Sequence, residues 1–277
     1  MDWGDELADA RHLFPSFTGQ EDGHVPKLPE DDPVWRFLDP ENASGLKAQL
    51  DALSGGIDAE NPGFYTSGEG IIVDGSAIVE AGAYLTGPCY IGPRAVVRNG
   101  AYVRPYSWIC ADSVVGHATE VKHSLLLPGS KAPHFNYVGD SILGKDVNRG
   151  AGTKLSTLRN DGQEVHLRLS DQRIPSGLRK FGAVLGEGAA LGCNSVTNPG
   201  VILGVQQHGV AKRHGLGHSR QRQCPPVRGE NVGCFFGTDG IRGEVSLKPL
   251  GNLEAVQRLE SGRTLTPTFM TMLGQSL

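Results

Sequence analysis

The 277-residue chain has no run of about 18 or more apolar residues, so no helix of membrane-spanning length and no membrane partner are expected. Its first nine residues are acidic and lack the basic stretch that opens a signal peptide, which leaves the cytoplasm as the expected location. No CxxC pair occurs among the five cysteines, Cys89, Cys110, Cys193, Cys224 and Cys234. Buried or idle thiols are therefore expected, and no metal site. Strong bases are scarce at the start. Residues 1–66 hold 14 of the 30 acidic side chains but only Arg11, Lys27, Arg36 and Lys47 as Lys or Arg. With a net charge of −4, no nucleic-acid partner is expected.

The chain is rich in something else. Val73, Val79, Leu85, Ile91, Val97, Val103, Ile109, Val115 and Val121 stand six residues apart. Four residues after each of the first eight comes a small one: Ala77, Ala83, Cys89, Ala95, Ala101, Ser107, Ser113 and Thr119. A period of six matches neither a helix nor a simple strand, but it is the mark of a solenoid of hexapeptides. Each hexapeptide supplies a short strand and a turn, with the aliphatic residue pointing inward. One coil cannot bury its own face, so several must stack.

The ladder returns as Leu185, Leu191, Thr197 and Leu203. Three hexapeptides to a coil predict roughly six coils over 70–204 and a prism about 25 to 30 Å tall. The 39 glycines suit the many tight turns. Between the two stretches, residues 154–180 read as an inserted hairpin arm turning at Asn160, Asp161 and Gly162. In the acidic segment, Leu46, Leu50 and Leu53 follow helical spacing after the possible cap Ser44. Residues 1–66 are read as a partly helical extension capping the first coil, whose open strand edges need cover. An acidic docking surface is the alternative.

The strongest chemical signal lies where the period-six register slips. The stretch Gly129 to Asp140 contains Lys131, Pro133, His134, Phe135, Asn136 and Tyr137, and Val147 to Thr153 contains Asn148, Arg149 and Ala151 between glycines. Together with the hexapeptides, these stretches resemble the left-handed parallel β-helix acetyltransferase domain of bifunctional N-acetylglucosamine-1-phosphate uridyltransferases. Residues 157–183 are closer to the related archaeal sugar-1-phosphate nucleotidylyltransferases. The resemblance covers about 70–204 and implies an all-β, left-handed parallel β-helix. It also supplies the handedness, which the period does not.

The resemblance assigns roles residue by residue. His134 matches the base that takes a proton from a sugar amine as it attacks a thioester, work that suits an imidazole near neutral pH. Arg104 and Lys122 match two bases that hold the sugar phosphate. Tyr137 and Asn148 match residues that hydrogen-bond the amino sugar, and Lys180 a lysine near the substrates. Ala151 and Cys193 match positions that meet the cofactor, acetyl-CoA. Pro133, Thr157 and Cys193 depart from the usual glycine, asparagine and serine. The resemblance further implies a homotrimer whose arm reaches toward a neighbouring subunit.

No glycine-rich nucleotide loop occurs in residues 1–66, so the nucleotidyl step is expected from a separate nucleotidyltransferase. After a linker over 206–232, the tail 233–277 runs from Cys234 to Val245 and on through Leu265 to Met270 in a pattern resembling the start of phosphoglucosamine mutases. It implies a truncated fusion without mutase catalysis, and a possible mutase partner. The expected activity is acetyl-CoA-dependent N-acetylation of an amino-sugar 1-phosphate, most simply glucosamine 1-phosphate. The alternative is a catalytically weak hexapeptide scaffold that binds a sugar phosphate or organises partner enzymes.

Overall fold

A computed structural model of the chain describes residues 8–17, 25–53, 65–169 and 172–209, and four two-residue strands between 236 and 265. From Tyr65 to Gly209 the backbone winds into a left-handed parallel β-helix with three seven-stranded faces. Face 1 stacks Tyr65–Ser67, Tyr84–Thr86, Tyr102–Val103, Glu120–Lys122, Tyr137–Gly139, Lys154–Leu155 and Val196–Thr197. Face 2 stacks Ile71–Val73, Cys89–Ile91, Ser107–Ile109, Ser124–Leu126, Ile142–Leu143, Ala183–Leu185 and Val201–Leu203. Face 3 stacks Ile78–Val79, Val96–Val97, Val114–His117, Lys131–His134, Asn148–Arg149, Ala190–Leu191 and His208–Gly209. There are seven coils rather than the six expected, because the strands begin at Tyr65 and continue past Leu203.

The inward ladder does not stop at Val121. It runs on through Leu126, Ala132, Val138, Leu143, Arg149 and Leu155, with a step of five residues instead of six at two corners. There His123 (φ 44) and Asp140 (φ 45) take the left-handed conformation and turn the chain from face 1 to face 2 in one residue fewer. The stretch from Lys131 to Asp140 is therefore not a departure from the solenoid but two of its strands. Losing one residue per coil shifted the phase of the pattern without changing its packing. Burying each aliphatic rung contributes about 1.5–3 kcal/mol, so the column dominates the stability of the prism.

Face 2 differs from the others in having apolar residues on its outer side as well. Ile72, Tyr90, Trp108, Leu125, Ile142, Val184 and Ile202 lie in register down that side. The N-terminal segment covers it. Helix α1 (Ala10–Leu13), helix α2 (Leu46–Ala52) and a 3-10 turn at Val34–Leu38 contribute Leu13, Phe14, Val34, Trp35, Phe37, Leu38, Leu46 and Leu50 to one buried cluster with that column. Trp35 stacks on Phe181 at 6.5 Å between ring centroids. Ser16 donates through its backbone N–H and hydroxyl to Glu187 at 2.8 and 2.9 Å, late in the prism.

The described residues of the extension thus cover face 2, where a large apolar surface lies. Helix α2 forms as the leucine spacing predicted, but Gly45 rather than Ser44 is its N-cap. A Cβ at Gly45 would lie 3.0–3.1 Å from the carbonyl oxygens of Phe37, Asp39 and Asn42, which explains the glycine.

The insertion between Leu155 and Ala183 forms an antiparallel pair, His166–Leu169 with Gln172–Pro175. Its turn lies after Leu169, while Asn160 and Asp161 turn the chain nearer its base. The arm's Val165, Leu167, Leu169 and Leu178 join the cluster formed by the N-terminal segment. The arm thus packs against the N-terminal segment of its own chain.

A second unit spans Gln221–Leu277. In it Phe236–Gly237 pairs antiparallel with Gly240–Ile241, and Glu244–Val245 pairs parallel with Thr264–Leu265. Nearly all of the linker and of the mutase-like motifs lies outside the described residues.

Candidate active site

Two edges of the prism and the face between them collect most of the residues singled out in the sequence. Where face 3 turns into face 1, His117, His134, Ala151 and Cys193 occupy the same position on successive coils. His134 stands in register with His117, the Gly152 N–H donates to the His134 carbonyl at 3.0 Å, and the Asn194 N–H donates to the Ala151 carbonyl at 2.7 Å. The expected base and the two expected cofactor positions therefore form one line, about 4.8 Å per coil.

Glycines allow the coils to close here. A Cβ on Gly116 would fall 1.7 Å from the Pro133 carbonyl oxygen, and one on Gly150 would fall 2.4 Å from the Cys193 nitrogen. The turn carrying His134 is held by buried Asn136, whose side-chain oxygen accepts from the His134 N–H at 3.1 Å and whose amide donates to the Gly150 carbonyl at 2.9 Å. His134 itself is exposed at the edge.

Across face 1, at the turn into face 2, Arg104 and Lys122 sit on successive coils. The Arg104 N–H donates to the Val121 carbonyl at 2.8 Å, and Lys122 is in register with Gly139. Both bases have carboxylate partners. Arg104 donates to Glu120 at 2.7 Å, which raises the guanidinium pKa, and Lys122 lies 3.3 Å from Asp140. Asp140 also meets His123 Nδ1 at 3.0 Å. Burial alone would raise the Asp140 carboxyl, yet the His123 hydrogen bond and the Lys122 charge hold it below the usual carboxylate range.

Tyr137 lies between the two edges, on the outer side of face 1 in register with Glu120 and Lys154. Its hydroxyl folds over Gly139, where a Cβ would come within 2.6 Å of it. Burial first, and then the Asp140 and Glu120 charges, push its pKa up, while a hydrogen bond with Thr157 acts the other way. Thr157, noted in the sequence only as a departure, thus belongs to this cluster. Lys180 is exposed and bridges Leu158 at the base of the arm, and the next residue, Phe181, donates its N–H to the Thr157 carbonyl at 2.9 Å.

Asn148 stands apart. It is on face 3, in register with Lys131 and Ala190, and does not share a face with Tyr137. Sequence reasoning gave no role to Glu120, His123 or Asp140. Glu120 had a readable signal, since it alternates with Lys122 on one strand. Among the described residues no group of three or more His, Cys, Asp or Glu could hold a metal ion, and no helix is long and apolar enough to cross a membrane.

The cluster can do two things chemically. Arg104 and Lys122, paired with Glu120 and Asp140, could exchange part of that contact for an anion. The imidazole on the opposite edge can accept a proton from a nucleophile lying over Tyr137.

No protein-family model matches the sequence. Among curated proteins, the chain is 41% identical over 135 residues to a bifunctional sugar-1-phosphate nucleotidylyltransferase/acetyltransferase of Sulfurisphaera tokodaii, covering 49% of this chain and 34% of that one. It is 39% identical over 142 residues to the bifunctional protein GlmU of Methanocaldococcus jannaschii, covering 49% and 35%. The chain thus spans about a third of the length of these relatives. Among solved structures, an acetyltransferase from Bacillus cereus matches at 14% identity with a TM-score of 0.30 over 53% of this chain and 74% of that one. Over about half of its length, the chain is similar to bifunctional sugar-1-phosphate nucleotidylyltransferase/acetyltransferases, and that half folds as a hexapeptide-repeat β-helix.

Proposed function

We propose that the β-helix N-acetylates an amino-sugar 1-phosphate, glucosamine 1-phosphate in the simplest case, with acetyl-CoA as donor. One observation carries this reading: His134 lies in line with Ala151 and Cys193 on one edge, while Arg104 and Lys122 lie across face 1 with Tyr137 between. The two bases hold the phosphate, exchanging part of their contact with Glu120 and Asp140 for it. Tyr137 and Lys180 hold the sugar. The thioester arm of the donor runs past Ala151 and Cys193, where small residues leave the backbone open.

In the reaction, the neutral amine attacks the thioester carbonyl carbon. Its proton passes to the His134 imidazole, and the carbon–sulfur bond breaks to release the thiol of the cofactor, which takes a proton. The product is the N-acetyl sugar phosphate. A cytoplasmic homotrimer suits the site, because Asn148 on face 3 joins Tyr137 on face 1 only when one copy's face 3 meets another copy's face 1. Exposed Ile78, Tyr84, Tyr102 and Val196 on these two faces support that packing. A separate nucleotidyltransferase would use the product.

The test is thiol release from acetyl-CoA in the presence of glucosamine 1-phosphate. His134→Ala should lower the rate by about 10²–10⁴, and Lys122→Ala should raise KM for the sugar phosphate. Absence of turnover by the parent chain, or an undiminished rate in His134→Ala, overturns the reading.

A further inference from the structure

Arg149 occupies an inward position of the prism. On face 3 the inward column reads Val79, Val97, Val115, Ala132, Arg149 and Leu191, set by the pairings of Ala132 with Val115 and of Arg149 with Leu191. Its side chain is fully buried, and Nε, Nη1 and Nη2 all lack a hydrogen-bond partner. The register leaves it no way out. Asn148 pairs with Lys131 on one side and Ala190 on the other, so moving Arg149 outward would drive Asn148 inward and slip both ladders.

A second orphan faces the same interior. Thr197 lies in the inward column of face 1, in register with Leu155, and its buried hydroxyl has no partner either. Leu155 and Arg149 belong to one coil, and Thr197 to the next. The aliphatic side chains of the inward columns in these and the preceding coil, Leu126, Ala132, Val138, Leu143, Leu155, Leu185 and Leu191, carry no acceptor, and the buried hydroxyls of Thr153 and Ser195 at the corners donate to the Gly150 and Gly192 carbonyls at 2.8 and 2.7 Å.

Among the described residues no carboxylate meets the Arg149 donors, and the Thr197 hydroxyl is unpaired beside the partnered ones. A buried guanidinium stays protonated at neutral pH even though burial pulls it down to about 9. Something anionic must satisfy it, and Ala132, standing where the three preceding coils have valine, sets aside only a small space. We propose that a small monovalent anion of the halide class binds inside the prism, held by the Arg149 guanidinium and the Thr197 hydroxyl. The position is enclosed by strands on all three faces, which favours a small ion over a carboxylate or phosphate. The site is separate from the outer face that carries His134 and Tyr137, and it ties the two coils beneath that face together.

Crystals of the full chain grown in sodium bromide, measured at the bromine edge, should show an anomalous peak within hydrogen-bonding distance of Arg149, inside the coils. In solution, the Tm of the parent chain should rise with bromide relative to sodium gluconate at equal ionic strength, since an ion that binds only the folded chain stabilises it. Arg149→Met should abolish that difference and Thr197→Val should reduce it. A water or main-chain oxygen at the guanidinium with no anomalous peak overturns the proposal. So does an equal bromide dependence in Arg149→Met.

Discussion

Replacing Arg149 by leucine should make the protein more stable. Leucine already fills the neighbouring inward positions 155 and 191, and the register that holds residue 149 does not depend on its side chain. Burial lowers the guanidinium from its ordinary range to about 9, which corresponds to on the order of 5 kcal/mol of lost solvation at neutral pH. Leucine is smaller, so part of that gain is offset by the void it leaves. A net gain of about 3 kcal/mol is expected, or roughly 10 °C in Tm for a unit of this size. The measurement is thermal or urea unfolding of Arg149→Leu against the parent in sodium gluconate, where no halide offsets the buried charge.

The sign of the pH dependence follows from the same shift. Above about 9 the unfolded chain still binds the proton that the folded chain has released, so the parent gains stability as pH rises toward the ordinary arginine range. The advantage of Arg149→Leu should therefore be constant from pH 7 to about 9 and shrink above it. A variant no more stable than the parent in gluconate at pH 7, or an advantage that grows above pH 9, would refute the view that an unpaired charge sits in the core.

Asp140→Asn should cost about 1–3 kcal/mol at pH 7, read as a lower urea midpoint, because Lys122 and His123 lose their buried acceptor charge. Its carboxyl is held below the usual value when folded, so the stability it contributes is present above the unfolded pKa near 3.9 and is lost as pH falls through the folded one. The parent should consequently lose more stability than Asp140→Asn on acidification through that range. Trp35→Ala should destabilise by about 3–5 kcal/mol and increase binding of a hydrophobic dye, since it uncovers the outer side of face 2; unchanged Tm would disprove that the N-terminal segment is part of the core.

Much of the solenoid was legible because its driving pattern is local. An aliphatic residue every six positions needs no knowledge of distant contacts to be recognised. The six-residue spacing breaks after Val121, where the five-residue steps through His123 and Asp140 shift the phase while the inward packing continues. The cover on face 2 had left a trace as well: apolar runs such as Tyr90–Ile91, Trp108–Ile109 and Leu125–Leu126–Leu127 fall on every third hexapeptide and place apolar residues on both sides of one face. Two-sided burial breaks the alternation expected of a face open to water.

The sequence by itself determined the prism and its inward ladder, since these follow from spacing along the chain. Only the tertiary structure decided which corner each motif occupies. It set His134, Ala151 and Cys193 on one edge, paired Arg104 with Glu120 and Lys122 with Asp140, moved Asn148 to another face, and turned Arg149 into the core. Those outcomes depend on strand pairing that stacks residues about 17 or 18 apart, or 42 apart across the arm, and on single-residue changes in coil length. Neither is visible until the coils are laid on one another.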